Sequence, residues 1–125
     1  MNRLMFAGAL ALGALSAATA FAQGDAGKGK DVFQDQCSGC HVLTGQGFTA
    51  PPLAGVYGRK AGTASFDYSD AMKKSAIVWD DASLSSFLSD PDKMVPGTAM
   101  MFSLSDAQQR DDVIAFLRTQ SPASK

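Results

Sequence analysis

The chain has little of what usually ties a small protein together. In 125 residues there are two cysteines, one histidine and one tryptophan. Both cysteines and the histidine fall within "DQCSGCHVLTG", at Cys37, Cys40 and His41. A disulfide across so short a loop contributes little, because the chain-entropy term shrinks with loop length. A thiol–disulfide redox pair is expected within a thioredoxin-like βαβ pattern, and none is visible. A closed structural zinc site takes four ligands, usually as two spaced pairs, and the chain has no second Cys/His pair. A basic excess is missing too, with eleven Lys and Arg against twelve Asp and Glu. Without it there is no electrostatic footprint for nucleic acid. Beyond residue 22 no segment could cross a membrane, no strand alternates convincingly, and no internal repeat occurs.

What is present begins with a segment that reads as an export signal. Arg3 supplies a positive start, an Ala/Leu-rich run follows, and Ala20-Phe21-Ala22 has the small-x-small form of a cleavage site. Cleavage after Ala22 leaves residues 23–125 as one domain, exported to the periplasm. The competing reading is an uncleaved membrane anchor, since Leu4 to Ala22 carries no charge and as a helix would span roughly 28 Å. Its Ala and Gly content, with Ser16 and Thr19, makes it insert less well than a Leu/Ile/Val span. Removing residues 1–22 takes away only Arg3, which leaves ten basic and twelve acidic residues and a charge of −2.

The rest of the pattern predicts an all-α protein with four or five short helices. "GDAGKGKDVFQDQC" reads as a helix capped by Asp25, with Val32, Phe33 and Cys37 toward one face. From Val42 to Ala64 the sequence is rich in glycine and proline and predicts a long irregular loop. Loops of that length in a small domain generally wrap something functional. A short helix is expected over Tyr68 to Ser75 with Ser69 as cap, and another from about Asp81 to Asp90, stopped by Pro91. "SDPDKMVPGTAMMFS" then reads as loop. The last helix is expected to start at a Ser105-x-x-Gln108 capping box, with Val113, Ile114 and Leu117 as its apolar stripe and Phe116 beside it. Such elements make a thin core that needs a disulfide, a metal or a cofactor to support it.

Cys37-Ser38-Gly39-Cys40-His41 matches C-x-x-C-H, the attachment sequence for c-type haem. Two thiols three positions apart can each form a thioether to a vinyl group of the ring. The adjacent histidine is then held against the ring face, where its nitrogen can ligate iron. His41 is the sole histidine, so a sixth ligand must be Met, Lys, an oxygen donor or nothing. Past residue 22 the methionines are Met72, Met94, Met100 and Met101, and methionine is most often flexible core filling. Position favours Met100, which follows the rigid Pro96-Gly97-Thr98 turn, whereas Met72 falls on a short helix where packing is the simpler role.

The chain resembles class I c-type cytochromes, both the mitochondrial proteins and the soluble bacterial c2 type. The resemblance covers essentially all of Gly24 to Arg118 through "GKGKDVFQDQCSGCH", "PPLAGVYGRKAG", "FDYSDAMKKSAIVW", "DPDKMVPGTAMMF" and "RDDVIAFL". It implies the class I fold wrapped around one covalent haem c, with thioethers at Cys37 and Cys40 and with His41 and Met100 as axial iron ligands. It implies that the Pro51 carbonyl accepts the His41 Nδ1–H, which fixes the ring tautomer. It places Arg59, Tyr68 and Trp79 near the haem propionates, where buried carboxylates need donors. Tyr68 and Trp79 also have a plain reading as core aromatics. Gly29 and Phe33, with Val113 and Phe116, correspond to the crossing of the terminal helices.

Departures from the family pattern are informative. Phe87 stands where a tyrosine hydroxyl usually reaches the ligand sulfur, and Met72 replaces an asparagine near buried water. Loss of the donor favours oxidised iron and a drier pocket favours reduced iron, so the two oppose. The loop between His41 and Pro51 is shorter than in the mitochondrial protein. Positions that carry lysine in relatives docking acidic partners hold Asp31, Gln36, Asp92 and Ala99, with Lys93 retained. Electrostatic steering toward an acidic partner is therefore expected to be weak. The function implied is a monomeric one-electron carrier, not an enzyme. It would shuttle between membrane redox complexes, from a quinol–cytochrome c reductase-like donor to a terminal oxidase or reaction-centre-like acceptor. The rivals are a haem peroxidase or ligand-binding haem protein, which needs an open iron position and distal acid–base residues, and a dedicated subunit of one oxidase or reductase.

Overall fold

The computed structural model describes residues 24–121 and, before them, Gly13 alone. The expected export signal lies outside the described residues. Helix α1 is Ala26–Val32, capped by Asp25, whose carboxylate accepts the Lys28 N–H at 3.0 Å. That bond holds the Asp25 carboxyl below the usual carboxylate range. Over Phe33–Cys37 the helix widens into a π-helical turn, closed by the Ser38 N–H donating to Phe33 O at 2.9 Å. Phe33 is buried, with Val32 and Cys37 packed against the core beside it, which is the expected face.

Residues 38–69 form no helix, and the loop expected from Val42 to Ala64 is irregular but tied down. Leu53 and Ala54 N–H donate to Val42 O and Leu43 O at 2.9 and 2.8 Å. Gly58 N–H donates to Trp79 O at 2.7 Å, and Trp79 N–H donates to Arg59 O at 3.0 Å. These flank an isolated antiparallel bridge between Lys60 and Val78. Among the described residues this is the nearest approach to a sheet, and the fold is all-α.

Helix α2 is Asp70–Lys74, with Ser69 as its cap. Helix α3 is Asp81–Ser89 and begins at a reciprocal capping box, in which Asp80 and Ser83 each accept the other's backbone N–H at 2.8 Å. The sequence reading is corrected at two places beyond it. Pro91 does not return the chain to loop but opens a further short helix, α4, Pro91–Met94, capped by Asp90. Proline suits a first helical position because its missing N–H has no intrahelical partner there in any case. The final helix, α5, Ala107–Thr119, is capped by Asp106, whose carboxylate accepts the Gln109 N–H at 2.9 Å. The expected Ser105 box is not used.

The core lies where α5 crosses α1. Val113, Ile114, Phe116 and Leu117 are all buried, and the rings of Phe33 and Phe116 lie 5.6 Å apart. Gly29 is the point of closest approach. A Cβ added there would lie 2.5 Å from the Asp112 carbonyl carbon and 2.8 Å from the Phe116 Cβ, so only glycine fits. Beside it the buried Asp112 carboxylate accepts the Asp25 N–H at 2.8 Å and the Gln108 amide at 3.0 Å. The same core continues through Trp79, Leu84, Phe87 and Leu88, with the Trp79 and Phe87 rings 5.1 Å apart.

Candidate functional site

The π-helical turn at the end of α1 delivers the cysteine–histidine cluster. A π turn adds a residue to the helical repeat and is common where a helix meets a functional group. Here it ends on Cys37, from which Cys37 O accepts the Cys40 and His41 N–H groups at 3.1 and 2.9 Å. Cys37, Cys40 and His41 are thereby wound into one tight turn. Both cysteines are free thiols, Cys40 exposed and Cys37 half-buried, and burial pushes the Cys37 thiol up to about 11. In the chain before any cofactor is attached, Cys37 is thus a thiol at neutral pH.

The His41 ring is oriented from the far side of the loop. Its Nδ1 lies 2.8 Å from Pro51 O, an acceptor only, so Nδ1 carries the proton and Nε2 keeps its lone pair. Burial lowers the pKa of the ring, and the Pro51 bond opposes that more weakly. The loop itself is braced by the Thr49 hydroxyl, which donates to Cys40 O at 3.2 Å. A neutral imidazole with a fixed tautomer and a free Nε2 is what metal ligation requires.

Across the core, Met100 is half-buried and packs against the same cluster of apolar side chains as Cys37 and Tyr68. Its loop is built from a sharp turn. Gly97 has φ +91°, a conformation natural to glycine, and its N–H donates to the Asp92 carboxylate at 3.2 Å. Thr98 is buried, donates its N–H to Val95 O at 2.9 Å, and accepts the Met100 N–H on its hydroxyl at 3.3 Å. Of the other methionines, Met72 is buried in the core as expected of a packing residue, and Met101 is 92 % exposed.

Arg59 and Trp79 are joined by the Trp79 N–H bond to Arg59 O beside the Lys60–Val78 bridge, and the Arg59 guanidinium makes long bonds to Ala54 O and Pro52 O, at 3.4 and 3.3 Å. Tyr68 is half-buried and meets Phe66 edge-on at 5.2 Å. Neither the Tyr68 hydroxyl nor the Trp79 indole N–H donates to a described protein acceptor, and among the described residues no side-chain N or O atom is fully buried without a partner. Both donors therefore retain access to an acceptor outside the protein. Among the described residues no three His, Cys, Asp or Glu side chains gather to hold a metal ion. The donor set present is two thiols, one imidazole nitrogen and a thioether, which fits an iron porphyrin attached through C-x-x-C-H.

Two contributors escape sequence reasoning. Thr98 is visible only as part of the Pro-Gly-Thr turn. Arg110, on α5, donates from Nη1 to both Leu104 O and Ser105 O at 2.8 Å and from Nε to the Ser85 hydroxyl at 3.3 Å. Its acceptors are mostly main-chain carbonyls, which leave no mark in a sequence.

Comparison with known proteins agrees with this donor set. Residues 26–121 match the family model described as cytochrome c. Cytochrome c of Tetrahymena pyriformis is 48 % identical over 98 residues, covering 78 % of this chain and 90 % of that protein. Cytochrome c2 of Rhodomicrobium vannielii is 49 % identical over 110 residues, covering 82 % and 85 %. Among solved structures, cytochrome cH from Methylobacterium extorquens superposes with a TM-score of 0.72 at 44 % identity, covering 77 % of this chain and 99 % of that one.

Proposed function

The chain belongs to the cytochrome c family, and from that premise we propose that it is a periplasmic electron carrier with His41 and Met100 as the axial ligands of one covalent haem. The family binds haem c, transfers electrons between redox partners and is not enzymatic. The observation that carries the finer reading is the His41 Nδ1–H to Pro51 O bond at 2.8 Å, which frees Nε2 beside two thiols in a single turn. Haem, when bound, supplies one-electron chemistry at its iron. The chain's own residues do the rest. Cys37 and Cys40 would anchor the ring, His41 and Met100 would hold its iron, and Arg59, Tyr68 and Trp79 would offer donors to its carboxylates. With both ligands in place no iron position would be open to substrate, and a thioether ligand would favour the reduced state.

The export-signal pattern ending at Ala20-Phe21-Ala22 and a c2-named relative in a bacterium support a periplasmic location, with residues 23–125 as the proposed mature domain. The experiment is expression with haem-attachment machinery, followed by mass measurement and a redox titration. A mass equal to residues 23–125 plus one haem, and a single one-electron wave, are expected. A noncovalent haem, or rapid cyanide binding by the oxidised protein, would overturn the carrier reading.

Among the described residues, four of the five exposed large apolar side chains lie close in sequence to the two candidate ligands, which supports docking through apolar contacts. Val42 and Phe48 follow His41 in the chain, and Met101 and Phe102 follow Met100 directly. Asp31, Gln36, Asp92 and Ala99, where the family resemblance implies lysines, carry no positive charge. Docking on a membrane reductase or oxidase is then brief and weakly steered, as suits a monomeric carrier. Stopped-flow electron transfer to a membrane oxidase should slow by less than about threefold between low and physiological salt. A steep fall would show that charge steers the encounter after all.

A further inference from the structure

The segment carrying Met100 is held differently at its two ends. Upstream it is anchored by local turns, with Val95 N–H on Pro91 O at 2.9 Å, Thr98 N–H on Val95 O at 2.9 Å and Gly97 N–H on Asp92. Downstream the chain makes no turn of its own before α5. Leu104 N–H reaches back to Leu88 O at 2.7 Å on α3, and the carbonyls of Leu104 and Ser105 are both taken by the Arg110 guanidinium. Between these ends, residues 99–103 have one hydrogen bond among the described residues, Met100 N–H to the Thr98 hydroxyl. Met101 has no burial to hold it, at 92 % exposure, and Phe102 is only partly covered, at 39 %.

We infer that Arg110 is a positioning residue for the Met100 thioether, acting as the downstream clamp of its loop. The inference rests on the reading of Met100 as an iron ligand. Two bonds from one planar, permanently charged group fix the direction of the chain at Leu104 and Ser105, and the Ser85 hydroxyl fixes the guanidinium in turn. A thioether is a weak ligand, so its hold depends on how little the loop must be ordered on binding. Because α5 also packs on α1, the clamp ties the loop to the same helix pair that ends in Cys37, Cys40 and His41. The guanidinium also borders an open cleft lined by Ser85, Ser86, Ser89, Asp90, Lys93 and Met94.

The test is imidazole binding to the oxidised haem protein, in which imidazole displaces the sulfur, read alongside the sulfur-to-iron charge-transfer band. Arg110→Ala should bind imidazole about tenfold more tightly, the equivalent of losing one charge-assisted hydrogen bond. Arg110→Lys, which keeps the charge but not the fork, should fall between it and the parent and guards against a failure of the alanine variant to fold. Asp112→Asn, at the α1–α5 junction, serves as a variant destabilised away from the loop. If it tightens imidazole binding as much as Arg110→Ala does, the effect is merely one of global stability and the clamp is refuted. An unchanged affinity in both Arg110 variants refutes it as well. Met100→Ala measured in parallel keeps the two claims apart, because survival of the band there removes the ligand reading itself, whatever Arg110 does.

Discussion

Met100→Ala should abolish the sulfur-to-iron charge-transfer band and lower the midpoint potential on the order of 0.2 V, a quarter of the roughly 0.8 V that axial ligation spans. The sign follows from the ligand. A thioether donates weakly and prefers the less charged iron, whereas the water or hydroxide that replaces it prefers the more charged one. Without the sulfur the oxidised protein should bind cyanide readily, the property that separates an open haem from a carrier. Met101 is the natural control, since it is the next residue and also a thioether, yet 92 % exposed. Met101→Ala should keep the band. If the band instead survives Met100→Ala and disappears in Met101→Ala, the register of the loop is off by one residue.

The parts of the site that were legible in the sequence are those made by neighbours in the chain. Cys37, Cys40 and His41 are brought together by one turn, so their spacing alone states the chemistry. The Pro51 acceptor lies ten residues from His41 and has no signature of its own, because any residue has a carbonyl. It entered through resemblance to a family. Arg110 was illegible for the same reason, and because an arginine on a helix ordinarily faces solvent.

Helix ends followed the same logic. Asp25 and Ser69 cap where they were expected to, since the cap is a contact three residues long. At α5 the cap is Asp106, one residue past the expected Ser105. The carboxylate is the stronger acceptor, and the Ser105 carbonyl is turned away into the Arg110 clamp, so the helix starts one residue later. Pro91 was read as a stop alone, although Asp90 before it is a good cap and proline opens helices as well as it ends them. Nothing in "FQDQC" announced the π turn.

Gly29→Ala should destabilise the haem protein by about 3 kcal/mol and lower the thermal midpoint by roughly 15 °C. The direction is the informative part. Helix propensity alone favours alanine over glycine by about 1 kcal/mol, so a reading confined to α1 predicts a rise. The crossing predicts a fall, because the new methyl would meet the Asp112 main chain and the Phe116 Cβ at less than contact distance, and neither can step aside without moving α5. Gly27→Ala separates the two terms on the same helix. Gly27 is exposed, and the nearest atom to its added Cβ is the Asp25 carboxylate at 3.1 Å, a capping side chain that needs to give by only a few tenths of an ångström. Its change should stay within about 1 kcal/mol. Melting both variants by far-ultraviolet circular dichroism gives the comparison, and equal midpoints would show that α1 and α5 do not meet at Gly29. The loss should also reach the haem, since α1 runs straight into the turn that holds Cys37, Cys40 and His41. Imidazole affinity in Gly29→Ala should therefore rise only as the helix pair loosens near the melting transition, unlike the uniform rise expected when the Arg110 clamp is removed.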